Sequence, residues 1–133
     1  PGDITNIGVL QLGDGQFAEV RQEGNDNTSN VLQGAGDSRL LVTGVSSIDN
    51  RALVTQSGDN GTSLIEQAGD SNDARLVQLD GSSFNVSTII QDGIRNTADV
   101  AQGGTGNQST INQTGTGNMA LVGQNAPLPS GVF

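Results

Sequence analysis

The chain has 133 residues, 32% of them apolar, with three Phe, no Trp, Tyr, Cys or His, and a formal net charge of −9. That length suits one domain, but so little apolar surface excludes a thick conventional core, and such a composition ordinarily marks disorder. All five cations are Arg, scattered at 21, 39, 51, 75 and 95, which excludes a basic patch for nucleic acid; no apolar run is long enough for a spanning helix, so no membrane insertion is expected, and no disulfide framework exists without Cys.

Order along the chain comes from a repeat. Glutamine falls at Gln11, Gln22, Gln33, Gln56, Gln67, Gln78, Gln91, Gln102, Gln113 and Gln124, mostly eleven apart. Gly44 occupies the place between Gln33 and Gln56, and short insertions fall near 45–49 and 79–84. Two places before each of these positions stands a branched aliphatic residue, in chain order Val9, Val20, Val31, Val42, Val54, Ile65, Leu76, Ile89, Val100, Ile111 and Val122. Six places before, Asn recurs as Asn27, Asn50, Asn72, Asn85, Asn96, Asn107 and Asn118. The early half-repeats are loose, with Leu40 where a small residue is expected. From Asn50 onward the position four before each glutamine alternates as Ala52, Ser63, Ala74, Ser87, Ala98, Ser109 and Ala120.

Offsets of six, four, two and zero share one parity, so on a strand these side chains face one way. Gly, Asp and Asn after each glutamine are turn chemistry. No 3.6-residue period supports a helix. The expected fold is all-β: a two-sheet parallel β-solenoid of cross-β type, about 22 residues per coil, with eleven strand half-repeats. Six would lie on an alanine sheet and five on a serine sheet, with Leu10, Leu32 and Val77 on the outside of the alanine sheet. The repeats span 1–125, and 126–133 form a Pro-containing tail. Inside, each amide would bond to its copy one coil away, because a buried amide without a partner is costly. Outside, Arg51 with Asp73 and Arg75 with Asp99 would be neighbours on successive coils, each pair exposed and contributing roughly 0–1 kcal/mol.

On these residues the chain resembles the curlin family of bacterial curli fibre subunits. The family pattern Gln-x-Gly-x-Gly-Asn-x-Ala-x-x-x-Gln is met by Gln113, Gly115, Gly117, Asn118, Ala120 and Gln124. It is met with Arg95 for the second Gly in Gln91, Gly93, Asn96, Ala98 and Gln102, and with Ser71 there in Gln67, Gly69, Asn72, Ala74 and Gln78. The resemblance implies secretion through the outer membrane and assembly into extracellular amyloid fibres of a biofilm matrix. The implied partners are copies of the chain itself, a curli nucleator or major subunit, and the curli secretion machinery. No cofactor is implied. The open ends of a solenoid agree with stacking, and the tail is expected to cross the joint between subunits.

Other readings have less behind them. The acidic turns, such as GDSND at 69–73 and GNDN at 24–27, suggest calcium, but their spacing is not that of the calcium-binding β-roll, and solubility explains them. The Asn-x-Ser/Thr triplets headed by Asn27, Asn60, Asn85, Asn107 and Asn112 follow from composition. No His, Cys or converging carboxylates offer catalysis, so no enzyme is expected. An ice-binding face would want rows of Thr that the mixed outer columns lack. The alternative from another class is a monomeric β-solenoid acting as an adhesin or binding module on the cell surface.

Overall fold

The computed structural model describes residues 6–34 and 48–125. These form ten strands: β1 (Asn6–Gln11), β2 (Phe17–Gln22), β3 (Thr28–Gln33), β4 (Arg51–Gln56), β5 (Thr62–Asp70), β6 (Asp73–Gln78), β7 (Val86–Ile94), β8 (Thr97–Gln102), β9 (Gln108–Thr116) and β10 (Met119–Gln124). Odd strands build one five-stranded sheet in the order β1-β3-β5-β7-β9, and even strands build the other, β10-β8-β6-β4-β2. Every pairing is parallel. The chain therefore winds as a β-solenoid of about five turns, each turn giving one strand to each sheet. Alternation of inward apolar or amide residues with outward polar ones makes the strands. In β6, Ala74, Leu76 and Gln78 are buried while Asp73, Arg75 and Val77 between them are only partly covered.

The core is a thin double row. Val31, Ile65, Ile89 and Ile111 stack along the odd sheet and Val54, Leu76 and Val100 along the even one. Ala52, Ala74 and Ala98 stack beside the second row. Small residues at this place let the two sheets approach. On the opposite sheet the same place is serine, and hydroxyls bond up the stack, Ser63 Oγ donating to Ser29 Oγ at 2.9 Å and Ser87 and Ser109 sharing a bond of 2.8 Å.

The described strands number ten, and β2 pairs directly with β4 and β3 with β5, across 34 residues. The expected half-repeat ending at Gly44 lies outside the described residues, as do Val42 and the tail 126–133. Two expectations are corrected. The phase of the early strands is shifted: Ala18 stacks on Ala52 and Ser29 on Ser63, which keeps each column uniform. Leu10 and Leu32 therefore sit on the serine sheet, opposite Val77. Last, Val9 is 47% exposed and Val20 and Val122 are only partly buried, because rows at the ends of a stack have a neighbour on one side only.

Corners are stacked too. After each glutamine the chain turns through a residue in the left-handed region. At one corner these are Asp49, Ser71, Arg95 and Gly117, and at the other Asp26, Asn60, Phe84 and Gly106. The two extra residues after Gln78 are absorbed in a tight turn at Asp80 and Gly81, closed by a bond from Ser82 N–H to the Leu79 carbonyl at 3.1 Å.

Candidate functional site: amide ladders and open ends

Glutamine columns run the length of both sheets. On the odd sheet Gln11 donates Nε2–H to Gln33 Oε1 at 2.8 Å, Gln33 to Gln67 at 2.8 Å, Gln67 to Gln91 at 2.9 Å and Gln91 to Gln113 at 2.9 Å. On the even sheet Gln22 donates to Gln56, Gln56 to Gln78, Gln78 to Gln102 and Gln102 to Gln124, at 2.7 to 3.2 Å. The second amide hydrogen crosses to the other sheet. Gln33 reaches the Phe17 carbonyl, Gln67 that of Arg51 and Gln102 that of Val86, at 2.9 to 3.1 Å. From Gln33 to Gln102 each of these glutamines thus ties neighbouring coils along the axis and the two sheets across it. Glu could not do this, having no N–H to donate, and Asn is one methylene too short. Because the crossing carbonyl must face the nitrogen, every glutamine donates in the same axial direction, toward the C-terminal coil.

Asparagine works the other way. Asn72 donates both its backbone N–H and Nδ2–H to Asn50 Oδ1, at 2.9 and 3.1 Å, and Asn118 does the same to Asn96 at 3.0 Å. Asn96 joins through its backbone N–H to Asn72 Oδ1 at 3.0 Å. Asn107 repeats the double bond to Asn85 on the other corner. Side-chain amides also reach glycine carbonyls one coil ahead, Asn72 to Gly93 and Asn96 to Gly115, both at 3.0 Å. That explains the recurring glycine: a Cβ on Gly93 would stand 1.9 Å from the Gly115 carbonyl oxygen. Asn27 departs from the expected amide ladder. The next residue in its column is Gly61, whose N–H donates to Asn27 Oδ1 at 2.8 Å, while Asn27 Nδ2 bonds the Gly58 carbonyl at 2.7 Å.

Of the two outward ion pairs, Arg51 Nη1 lies 3.5 Å from Asp73 Oδ2, both about half exposed, and Arg75 Nη1 lies 3.5 Å from Asp99 Oδ2. The second departs from the exposed pair that parity predicts: Asp99 is 2% exposed and its Oδ1 has no partner. Burial pushes the Asp99 carboxyl above its ordinary 3.8, against the opposing attraction of Arg75. The acidic corner residues hold backbone: Asp59 Oδ1 accepts from Asn25 N–H at 2.9 Å and Asp70 Oδ1 from Ile48 N–H at 3.1 Å. Among the described residues no three carboxylates gather where they could hold a metal ion.

Among the described residues both ends of the stack are open. β1 and β2 pair on one side only, as do β9 and β10. At the β1–β2 end lies a residue the repeat analysis passed over. Gln16 stands in the asparagine column, six before Gln22, and both its amide atoms are buried without a partner, as is Gln22 Oε1. The spacing alone could have found it; the expectation of Asn there hid it. Phe17 on β2 and Met119 on β10, at opposite ends of one outer column, are both exposed, by 48% and 60%.

Comparison with known families agrees with the ladder spacing. The curlin associated repeat matches residues 49–79 and 93–125, which hold β4 to β6 and β8 to β10. No curated protein matches the chain.

Proposed function

We propose that this curlin-repeat protein is a non-catalytic structural subunit that stacks end to end into extracellular curli-like amyloid fibres. The observation that carries the reading is the pair of open ends. Among the described residues each presents unpaired strand edges and interrupted amide columns, and a stack of this kind gains the same bonds from a second copy as from its own next coil.

Secretion through the outer membrane, a place in a biofilm matrix, and dealings with a nucleator, a major subunit or the curli secretion machinery rest on the family. A copy of the chain itself is the partner for which the ends are built. Quiescent incubation of the purified chain, followed by thioflavin fluorescence, seeding and cryo-electron microscopy, tests the reading. Seeded growth of fibres with a ~4.8 Å axial repeat supports it. A β-rich monomer that neither grows nor seeds overturns it in favour of the adhesin or binding module, which keeps the same fold.

A further inference from the structure

We infer that Asn60 is a spontaneous modification site, open to deamidation while the chain is unfolded and closed by folding. The inference concerns the single chain and holds whether or not copies stack. Of the thirteen asparagines, Asn60 alone is followed by glycine. Asparagine is a chemically labile residue, and a following glycine, having no Cβ, leaves its own nitrogen unobstructed. In the reaction the Gly61 nitrogen attacks Asn60 Cγ, and the new N–C bond closes a five-membered succinimide. Nδ2 leaves as ammonia, taking the proton lost from the Gly61 nitrogen. Water then opens the ring. Cleavage of the bond to Cγ gives aspartate; cleavage of the bond to the backbone carbonyl carbon gives isoaspartate, whose main chain runs through Cγ and is longer by one carbon.

The fold obliges the chain to carry this pair. Asn60 sits at a corner with φ 55°, in the column of Asp26, Phe84 and Gly106, and asparagine is among the few side chains that accept the left-handed region readily. Gly61 is buried in the asparagine column. The space a side chain would need is taken by the ladders: a Cβ would stand 2.1 Å from Gln78 Oε1 and 2.9 Å from Asn27 Oδ1. Gln78 Oε1 is itself held by Gln56 at 3.0 Å. Two local requirements thus meet in one labile dipeptide.

The same corner prevents the reaction. In left-handed backbone the following nitrogen lies on the far side of the Cα–C bond from Cβ, so ring closure requires that bond to rotate. Three hydrogen bonds resist the rotation. Asn60 N–H donates to the Asn25 carbonyl, Gly61 N–H to Asn27 Oδ1, and Thr28 N–H to the Gly61 carbonyl, each at 2.8 Å. The departure of Asn27 from the amide ladder acquires a role here: its Oδ1 holds the proton that the reaction must remove. The two products differ in what they do to the corner. Aspartate leaves the backbone unchanged and has a precedent in Asp26 of the same column. Isoaspartate adds a carbon ahead of Gly61 and carries it away from Asn27 Oδ1 and Thr28 N–H. A chain modified before folding is therefore kept out of the coil stack, while a folded chain keeps its asparagine.

The test incubates the full chain at neutral pH in native buffer and in urea. Peptides covering Asn60 are followed by mass spectrometry, with chromatography to separate aspartate from isoaspartate. In urea, modification should concentrate at Asn60. In native buffer it should be about 100-fold slower or more, because the three bonds must open together. The isolated isoaspartyl chain should fail to regain the β-rich circular dichroism of the native chain when urea is removed, and Asn60→Asp should regain it. Equal rates in the two buffers would overturn the protection. Modification spread evenly over the asparagines in urea would overturn the site. An isoaspartyl chain that refolds with the native urea midpoint would overturn its exclusion from the stack.

Discussion

Gln67 offers the sharpest test of the amide columns. It is fully buried, accepts from Gln33 at 2.8 Å and donates to Gln91 and to the Arg51 carbonyl at 2.9 Å. Gln67→Leu leaves one Gln33 amide hydrogen and the Gln91 Oε1 buried and unmet. At about 1–3 kcal/mol per orphaned group the loss is roughly 2–6 kcal/mol, of which burying leucine returns about 1.5–3 kcal/mol. A net loss of about 2 kcal/mol is expected. The double variant Gln67→Leu/Gln91→Leu also leaves two unmet groups, now one on Gln33 and one on Gln113. It should therefore cost no more than the single change, where independent contributions would cost twice as much. Urea titration of the soluble chain, followed by far-ultraviolet circular dichroism, measures both. A single variant within about 0.5 kcal/mol of the native chain, or a double variant that costs the sum of the two singles, would refute the column as the holding element.

Further expectations concern corners and charges. Gly93→Ala should destabilise by about 2 kcal/mol or more, since the added Cβ meets the Gly115 carbonyl oxygen at 1.9 Å and φ is +134°; thermal melting checks it. Phe84, at φ 55° and 62% exposed, shares its column with Asp26, Asn60 and Gly106, so Phe84→Gly should raise stability by about 1 kcal/mol in the same melt. Asp99 holds its proton more tightly folded than unfolded, so the native chain loses stability as pH rises from 3.8 through the higher folded-state value. Asp99→Asn should remove that slope, read from urea midpoints across the acid range. Arg51→Ala, breaking a half-exposed pair, should shift stability by less than about 1 kcal/mol in neutral buffer.

The columns were legible because a stacked amide demands an identical neighbour, which prints a period on the chain. Parity placed the aliphatic rows and the two Arg–Asp pairs side by side. What parity could not convey was the end of a stack: Val9 reads like Val31, yet only the second has a row on either side. The interval between Gln33 and Gln56 was ambiguous for a different reason. Twenty-three residues suit two loose half-repeats or one half-repeat with an insertion, and which early strands are neighbours is fixed by Ala18 stacking on Ala52, a contact between positions 34 apart. Asp99 was placed outward correctly by its register, but burial of an outer position depends on tertiary cover that no local spacing encodes. Gln16 was overlooked because it fills an asparagine place with a glutamine.

The direction of the hydrogen bonds has a mechanical consequence. The backbone winds around the axis, while the bonds between strands lie along it. Tension on a fibre of such units pulls on all the bonds of a coil together, so they share the load instead of yielding one after another. Within a unit a covalent thread still passes from coil to coil; between units none does. A stretched filament would therefore snap at its molecular boundaries, giving fragments of whole subunits whose fresh ends match those just lost, and breakage would multiply growing ends rather than destroy them.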